Sequence, residues 1–77
     1  MSNFYSRLVE LRKERSLTQK QLAQAIGANE RGIRFYEAGA KQPTMDSLIK
    51  LADFFNVSLD YLVGRSDDAR PFRNGAS

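Results

Sequence analysis

Cysteine and histidine are both missing from this 77-residue chain. Without cysteine there is no disulfide and no thiolate metal site. Without histidine a zinc finger, a zinc hydrolase and a histidine general base fall away as well. The sequence carries no glycine-rich phosphate loop and no acids paired at a catalytic spacing. An enzyme is therefore the weakest function class, and no cofactor or metal is expected. No apolar run approaches the ~20 residues of a membrane span. The opening Met1-Ser2-Asn3-Phe4-Tyr5-Ser6-Arg7 lacks the apolar stretch of a signal peptide, so the chain is expected in the cytosol, with no membrane partner. Strand alternation, internal repeats and low-complexity blocks are also lacking.

What is present fits one small domain, whose limited core must be supported by good packing and helix caps. The 12 basic and 9 acidic residues give a modest formal charge of +3. Their distribution says more. Residues 1–44 hold eight bases against four acids, whereas residues 45–77 hold four against five. The positive surplus lies in the first half.

The apolar residues recur with helical periodicity. Asn3 can cap a first helix in which Phe4, Leu8 and Leu11 share a face, with Glu10, Lys13 and Glu14 on the other side. Ser16-Leu17 breaks it, because Thr18 and Gln21 stand at the spacing of a capping box. A second helix is expected over about Gln19 to Ile26, with Leu22, Ala23 and Ile26 inward. Gly27 follows, suited to the left-handed conformation that closes helices. Asn29 can cap a third helix, about Glu30 to Ala38, with Ile33 and Tyr36 inward and Gly39 at its end. Gly32 weakens this helix by ~1 kcal/mol relative to alanine, so it needs tertiary support. After the loop Ala40-Lys41-Gln42-Pro43, Thr44 or Asp46 caps a fourth helix to Phe55, with Leu48, Leu51, Ala52 and Phe55 inward. Asn56 closes it. Ser58 caps a short fifth helix, Leu59 to Val63, ended by Gly64. From Arg65 the composition turns polar, which reads as a frayed tail or the start of a linker.

Leu17 to Pro43 is the informative stretch: two short helices, a tight turn, and a polar face on the second. The ordered set Leu17-Thr18-Gln19, Leu22-Ala23, Gly27, Ile33, Tyr36-Glu37, Gly39, Pro43, Leu51-Ala52 and Val57-Ser58-Leu59-Asp60-Tyr61-Leu62 resembles the helix-turn-helix domain of phage repressor and Cro-like regulators, the XRE family. The resemblance covers about Phe4 to Gly64. It implies an all-α fold, a compact five-helix lambda-repressor-like domain over residues 1–64, followed by a polar C-terminal tail or linker over residues 65–77. Departures are Ala28 and Asn29 where a Val-Ser pair is common, Gly32 within the reading helix, and Phe35 at a position often polar. They leave the fold intact but obscure the preferred DNA sequence.

In a helix-turn-helix the second helix of the motif lies in the major groove of double-stranded DNA, its N-terminal residues at base edges. That places Asn29, Glu30, Arg31, Arg34 and Phe35 as base-reading candidates. Arg31 leads, since a guanidinium can bond guanine O6 and N7 together. Glu30 can accept from cytosine N4 or repel phosphate. Asn29 reads adenine or only caps. Phe35 touches a thymine methyl or packs on a neighbouring helix. The bland alternative is that Arg31 and Arg34 are solvated charges, Arg34 in an ordinary i,i+4 pair with Glu30. Thr18, Gln19, Lys20, Lys41 and Gln42 are candidates for the DNA backbone, the first two at a helix end whose potential and free N–H groups suit phosphate. Capping alone also accounts for Thr18.

The resemblance further implies that Arg12 of the first helix pairs with Glu37; otherwise these are two independent surface charges of little energetic weight. It implies a dimer on a two-fold symmetric operator. Leu59, Tyr61 and Val63 are candidate dimer contacts, unless Tyr61 and Leu62 simply close the domain's own core. The leading expectation is a sequence-specific DNA-binding transcriptional regulator of bacterial or phage origin, of the repressor kind and homodimeric. The alternative is a protein-interaction module such as an antitoxin-like partner, argued from the apolar Phe54-Phe55 pair and the Tyr61 region.

Overall fold

Asn3, Thr18, Asn29, Thr44 and Ser58 stand in extended backbone conformation, and each side-chain oxygen accepts from the backbone N–H three residues on. Each bond satisfies one of the donors that a helix start leaves free, a contribution of about 1 kcal/mol. The computed structural model describes residues 3–71 and places five helices there: α1 (Phe4–Glu14), α2 (Gln19–Ile26), α3 (Glu30–Glu37), α4 (Met45–Phe55) and α5 (Leu59–Leu62). Thr18 and Gln21 form the reciprocal capping box, and Asn3 forms a second one with Ser6. Thr44, not Asp46, caps α4.

The helix ends are equally uniform. At Ser16, Gly27, Gly39, Asn56 and Gly64 the backbone is left-handed, with φ between 55° and 83°. At each, the left-handed residue donates its N–H to the carbonyl three residues back, and the next residue donates to the carbonyl five back. This double closure satisfies orphan carbonyls and reverses the chain within two residues. Helices α3 and α5 each end one residue earlier than their sequence pattern predicts, because Ala38 and Val63 are the caps. Ser16 is a less obvious stop. Its side chain opposes the conformation that the α1–α2 turn requires.

These local signals set boundaries; burial holds the helices together. Leu8, Leu22, Ile33, Leu51 and Leu62, one from each helix, are fully buried. Leu11, Ala23, Tyr36, Ala52, Phe55 and Val57 complete the core. Each fully buried large apolar side chain contributes roughly 1.5–3 kcal/mol, more than any single cap. Helices α2 and α3 pack mainly on one another, α1 lies against α3 and α5, and α4 against α2 and α5. Phe4 meets Tyr36 edge-on at 6.0 Å between ring centres. Ile26 and Leu48, at the margins of their stripes, are only partly buried.

The polar segment after Gly64 does not leave the fold at once. Ser58 donates its N–H to the Ala69 carbonyl and its hydroxyl to the Asp68 carbonyl, and Ala69 packs against the core. The frayed-tail reading therefore needs correcting for residues 65–71, because the α5 cap supplies two donors that hold them down. Residues 72–77 of the expected tail, and Met1-Ser2 at the start, lie outside the described residues.

Two substitutions test this account. Leu51→Ala should lower unfolding free energy by about 2–5 kcal/mol through the cavity it leaves. Ser16→Gly should raise it by about 0.5–1 kcal/mol, the left-handed strain relieved less the added freedom of the unfolded chain. Urea titration followed by helical circular dichroism measures both, and a destabilised Ser16→Gly would contradict the strain argument.

Candidate nucleic-acid interface

The site rests on how α3 is oriented, and that is fixed from α1 and α2. Arg12 of α1 donates through Nε to Glu37 Oε2 at 2.5 Å and through Nη2 to Glu37 Oε1 at 3.0 Å. Its remaining Nη1 donates to the Leu17 carbonyl at 2.7 Å, inside the α1–α2 turn. Gln19, the first residue of α2, donates its amide to Glu37 Oε1 at 2.9 Å. Both charged side chains are largely buried, 14% and 7% exposed. The hydrogen bonds to Glu37 raise the Arg12 pKa above its ordinary value; burial opposes this and Glu37's charge adds to it. One carboxylate near the end of α3 therefore ties that helix to α1 and α2 together. Its two oxygens accept three hydrogen bonds, so little of it is left to repel a passing anion.

With α3 held in this way, its inner face is Ile33 and Tyr36. Arg31, Arg34 and Phe35 are exposed, and the helical repeat of 100° per residue sets Arg31 and Phe35 nearly opposite Ile33. Phe35 is 39% exposed, and its ring stands outside the apolar core. The Arg31 guanidinium stands over that ring, 5.7 Å from its centre. Arg34 pairs instead with Glu30 at 3.4 Å, an i,i+4 contact between half-exposed side chains that contributes only a few tenths of a kcal/mol. Asn29 is at the exposed start of α3, but its side-chain oxygen accepts the Gly32 N–H at 2.7 Å. Its amide nitrogen and the second lone pair of that oxygen remain for a further partner.

The first turn of α2 is the other exposed element. Thr18 and Lys20 are exposed, and this turn contains no acid. The N–H groups of Gln19 and Lys20 belong to the set that no intrahelical carbonyl reaches. Gln19 itself is half-buried, with its side chain turned to Glu37 and not outward. Lys41 and Gln42 are exposed on the loop after Gly39.

Two arginines with inward roles escape a reading based on charge. Arg7 is 4% exposed, with its guanidinium 3.9 Å from the centre of the Tyr61 ring and Nη2 3.4 Å from Asp67. Among the described residues its Nε has no hydrogen-bond partner, and the guanidinium rests on the aromatic face instead. Burial lowers its pKa, but the hydrogen bond and charge of Tyr61, then Asp67 and Glu10, raise it further, leaving it above the ordinary arginine value. Arg15 donates to the carbonyls of Phe54 and Phe55 at 3.0 and 2.9 Å and lies over both rings. Both positions were signalled by the period: Arg7 is four residues before Leu11, and Arg15 four after it. Phe54-Phe55 is thereby removed as a free apolar pair, since Phe55 is core and Arg15 covers both. Of the three α5 candidates, Leu59 is exposed, Val63 half-buried, and Tyr61 half-buried beneath Arg7.

A family model described as Helix-turn-helix matches residues 8–62. The uncharacterized HTH-type transcriptional regulator YobD of Bacillus subtilis (strain 168) is 43% identical over 68 residues, which are 88% of this chain and 61% of that protein. The cryptic phage CTXphi transcriptional repressor RstR of Vibrio cholerae serotype O1 is 42% identical over 59 residues, 77% of this chain and 53% of its own length. The chain thus spans little more than half the length of these relatives. Among solved structures, the P22 c2 repressor protein, crystallised with a synthetic operator, superposes with a TM-score of 0.79. At 23% identity, over 86% of this chain and all of that one, the likeness establishes the five-helix repressor fold.

The Arg12–Glu37 pair generates a stability prediction. Arg12→Ala or Glu37→Ala alone should each remove about 3–5 kcal/mol, because each strands the other charge. The double variant should lose clearly less than the sum, as a double-mutant cycle by chemical denaturation would reveal. Additive losses would mean that the two side chains act independently.

Proposed function

Because this chain belongs to the helix-turn-helix family, we propose that it is a sequence-specific DNA-binding transcriptional regulator of the repressor kind, with α3 as the reading helix in the major groove. The observation that carries this reading is the division of labour on α3. Its inner face and its Glu37 are fully engaged by the fold, while Arg31, Arg34 and Phe35 are presented outward. Among the described residues, none of these three belongs to the apolar core. The names of YobD and RstR support the same conclusion.

Asn29, Glu30, Arg31, Arg34 and Phe35 face base edges, with Arg31 the principal reader. The α2 N-terminus at Thr18 and Gln19, together with Lys20, Lys41 and Gln42, meets the phosphate backbone. Gln19 does so through its main-chain N–H, since its side chain holds Glu37. The chain acts as a homodimer on a two-fold symmetric operator, its reading helices about one DNA turn, ~34 Å, apart. Leu59 and the neighbouring exposed Ile49 support the subunit contact; Tyr61 and Val63 flank it. The function is binding, with no catalytic step, no cofactor and no metal. The protein works in the cytoplasm, on the nucleoid when bound. No helix among the described residues is long and apolar enough to cross a membrane.

Selection from a random duplex library is the decisive experiment, with a palindromic enriched site as the expected result. On that site Arg31→Ala should weaken specific binding by ~1–3 kcal/mol and spare nonspecific affinity. Equal losses on cognate and random duplexes would refute the assignment. Lys41→Ala should weaken both and lower the salt slope by about one unit. An unchanged slope would remove Lys41 from the backbone contacts.

A further inference from the structure

Arg31 and Phe35 form one reading unit, and its geometry restricts what it can read. We infer that this pair recognises a guanine together with the 5-methyl group of a thymine in the adjacent base pair. The inference rests on the DNA reading above and deepens it.

Three observations carry it. First, the guanidinium and the ring are both exposed and lean on one another at 5.7 Å. An arginine already resting on an aromatic face gives up less rotamer freedom when it docks. Arg34, by contrast, has the Glu30 carboxylate attached, which competes with any base or phosphate for its donors. Second, position 32, three residues before Phe35 on α3, is glycine and sets no side chain between the ring and the start of the helix. Third, the available chemistry in the major groove is narrow. A guanidinium matches guanine O6 and N7, and an exposed phenyl has the thymine methyl as its apolar partner there.

Distance then fixes the spacing. The two groups are 5.7 Å apart, less than two base steps of about 3.4 Å each. Their contacts therefore fall on the same base pair or on neighbouring ones. A single pair cannot offer both guanine and thymine, so the pairs are neighbours.

The test uses the site enriched from the random library, with the full chain and single-atom changes in the DNA. Each enriched half-site should contain a G·C pair next to an A·T pair. Replacing that thymine by deoxyuridine removes only the methyl and should weaken binding of the native chain about fourfold. Phe35→Ala should bind both duplexes alike, and Phe35→Leu, still apolar, should keep part of the discrimination. Replacing the guanine by 7-deazaguanine should weaken the native chain about fivefold or more and leave Arg31→Ala unaffected. Circular dichroism verifies that each variant is folded. An enriched site without the adjacent pairs overturns the inference, as does a deoxyuridine effect that is the same with and without the Phe35 ring. Failure to enrich any sequence overturns the DNA reading itself, and this inference with it.

Discussion

The carboxylate of Glu37 is the constraint on which the arrangement depends. It accepts from Arg12 twice and from Gln19 once, so three helices meet on two oxygen atoms. Arg12 also holds the Leu17 carbonyl and so fixes the turn that launches α2. An ion pair so little exposed adds little net stability compared with an apolar substitute, but breaking it from one side is expensive. Its effect is geometric. It sets the angle and rotation of α3 relative to the start of α2. Apolar packing of Ile33 and Tyr36 alone would tolerate a small roll of the helix; a bidentate pair is directional and resists it.

The same pair changes how the charge of the chain should be counted. The surplus of positive residues in the first half looks like a ligand-facing feature. Yet Arg7 is buried against Tyr61 and Asp67, Arg12 is neutralised by Glu37, and Arg15 closes the carboxyl end of α4. Three of the eight bases serve the fold. The outward set is thus smaller: Arg31 leaning on Phe35, Arg34 with Glu30, and Lys13, Lys20 and Lys41 standing exposed. An interface of this kind relies on where a few donors point more than on total charge.

Local chemistry was legible residue by residue. Four of the five N-caps could be identified, and that of α4 narrowed to Thr44 or Asp46, because a short polar side chain reaches its own backbone three residues on, whatever surrounds it. The stops at Gly27, Gly39, Asn56 and Gly64 followed from the same short-range logic. Ser16 was legible only as a break, since serine carries no preference for left-handed backbone and the turn imposes it. Residues 65–71 looked like solvent-exposed tail because their attachment to Ser58 and Arg7 joins positions distant in sequence. The Gln19–Glu37 hydrogen bond was not legible for the same reason: the two residues are 18 apart in sequence.

The sequence by itself determined the helices, their limits to within a residue and the centres of their inner faces, because periodicity and capping act within a turn or two of chain. It also marked α3 as the element with a surplus outer face. Only the tertiary structure decided which charges look outward. A guanidinium on a helix has no intrinsic direction; an aromatic ring, a carboxylate or a row of free carbonyls gives it one, and those partners arrive from other helices when the core closes.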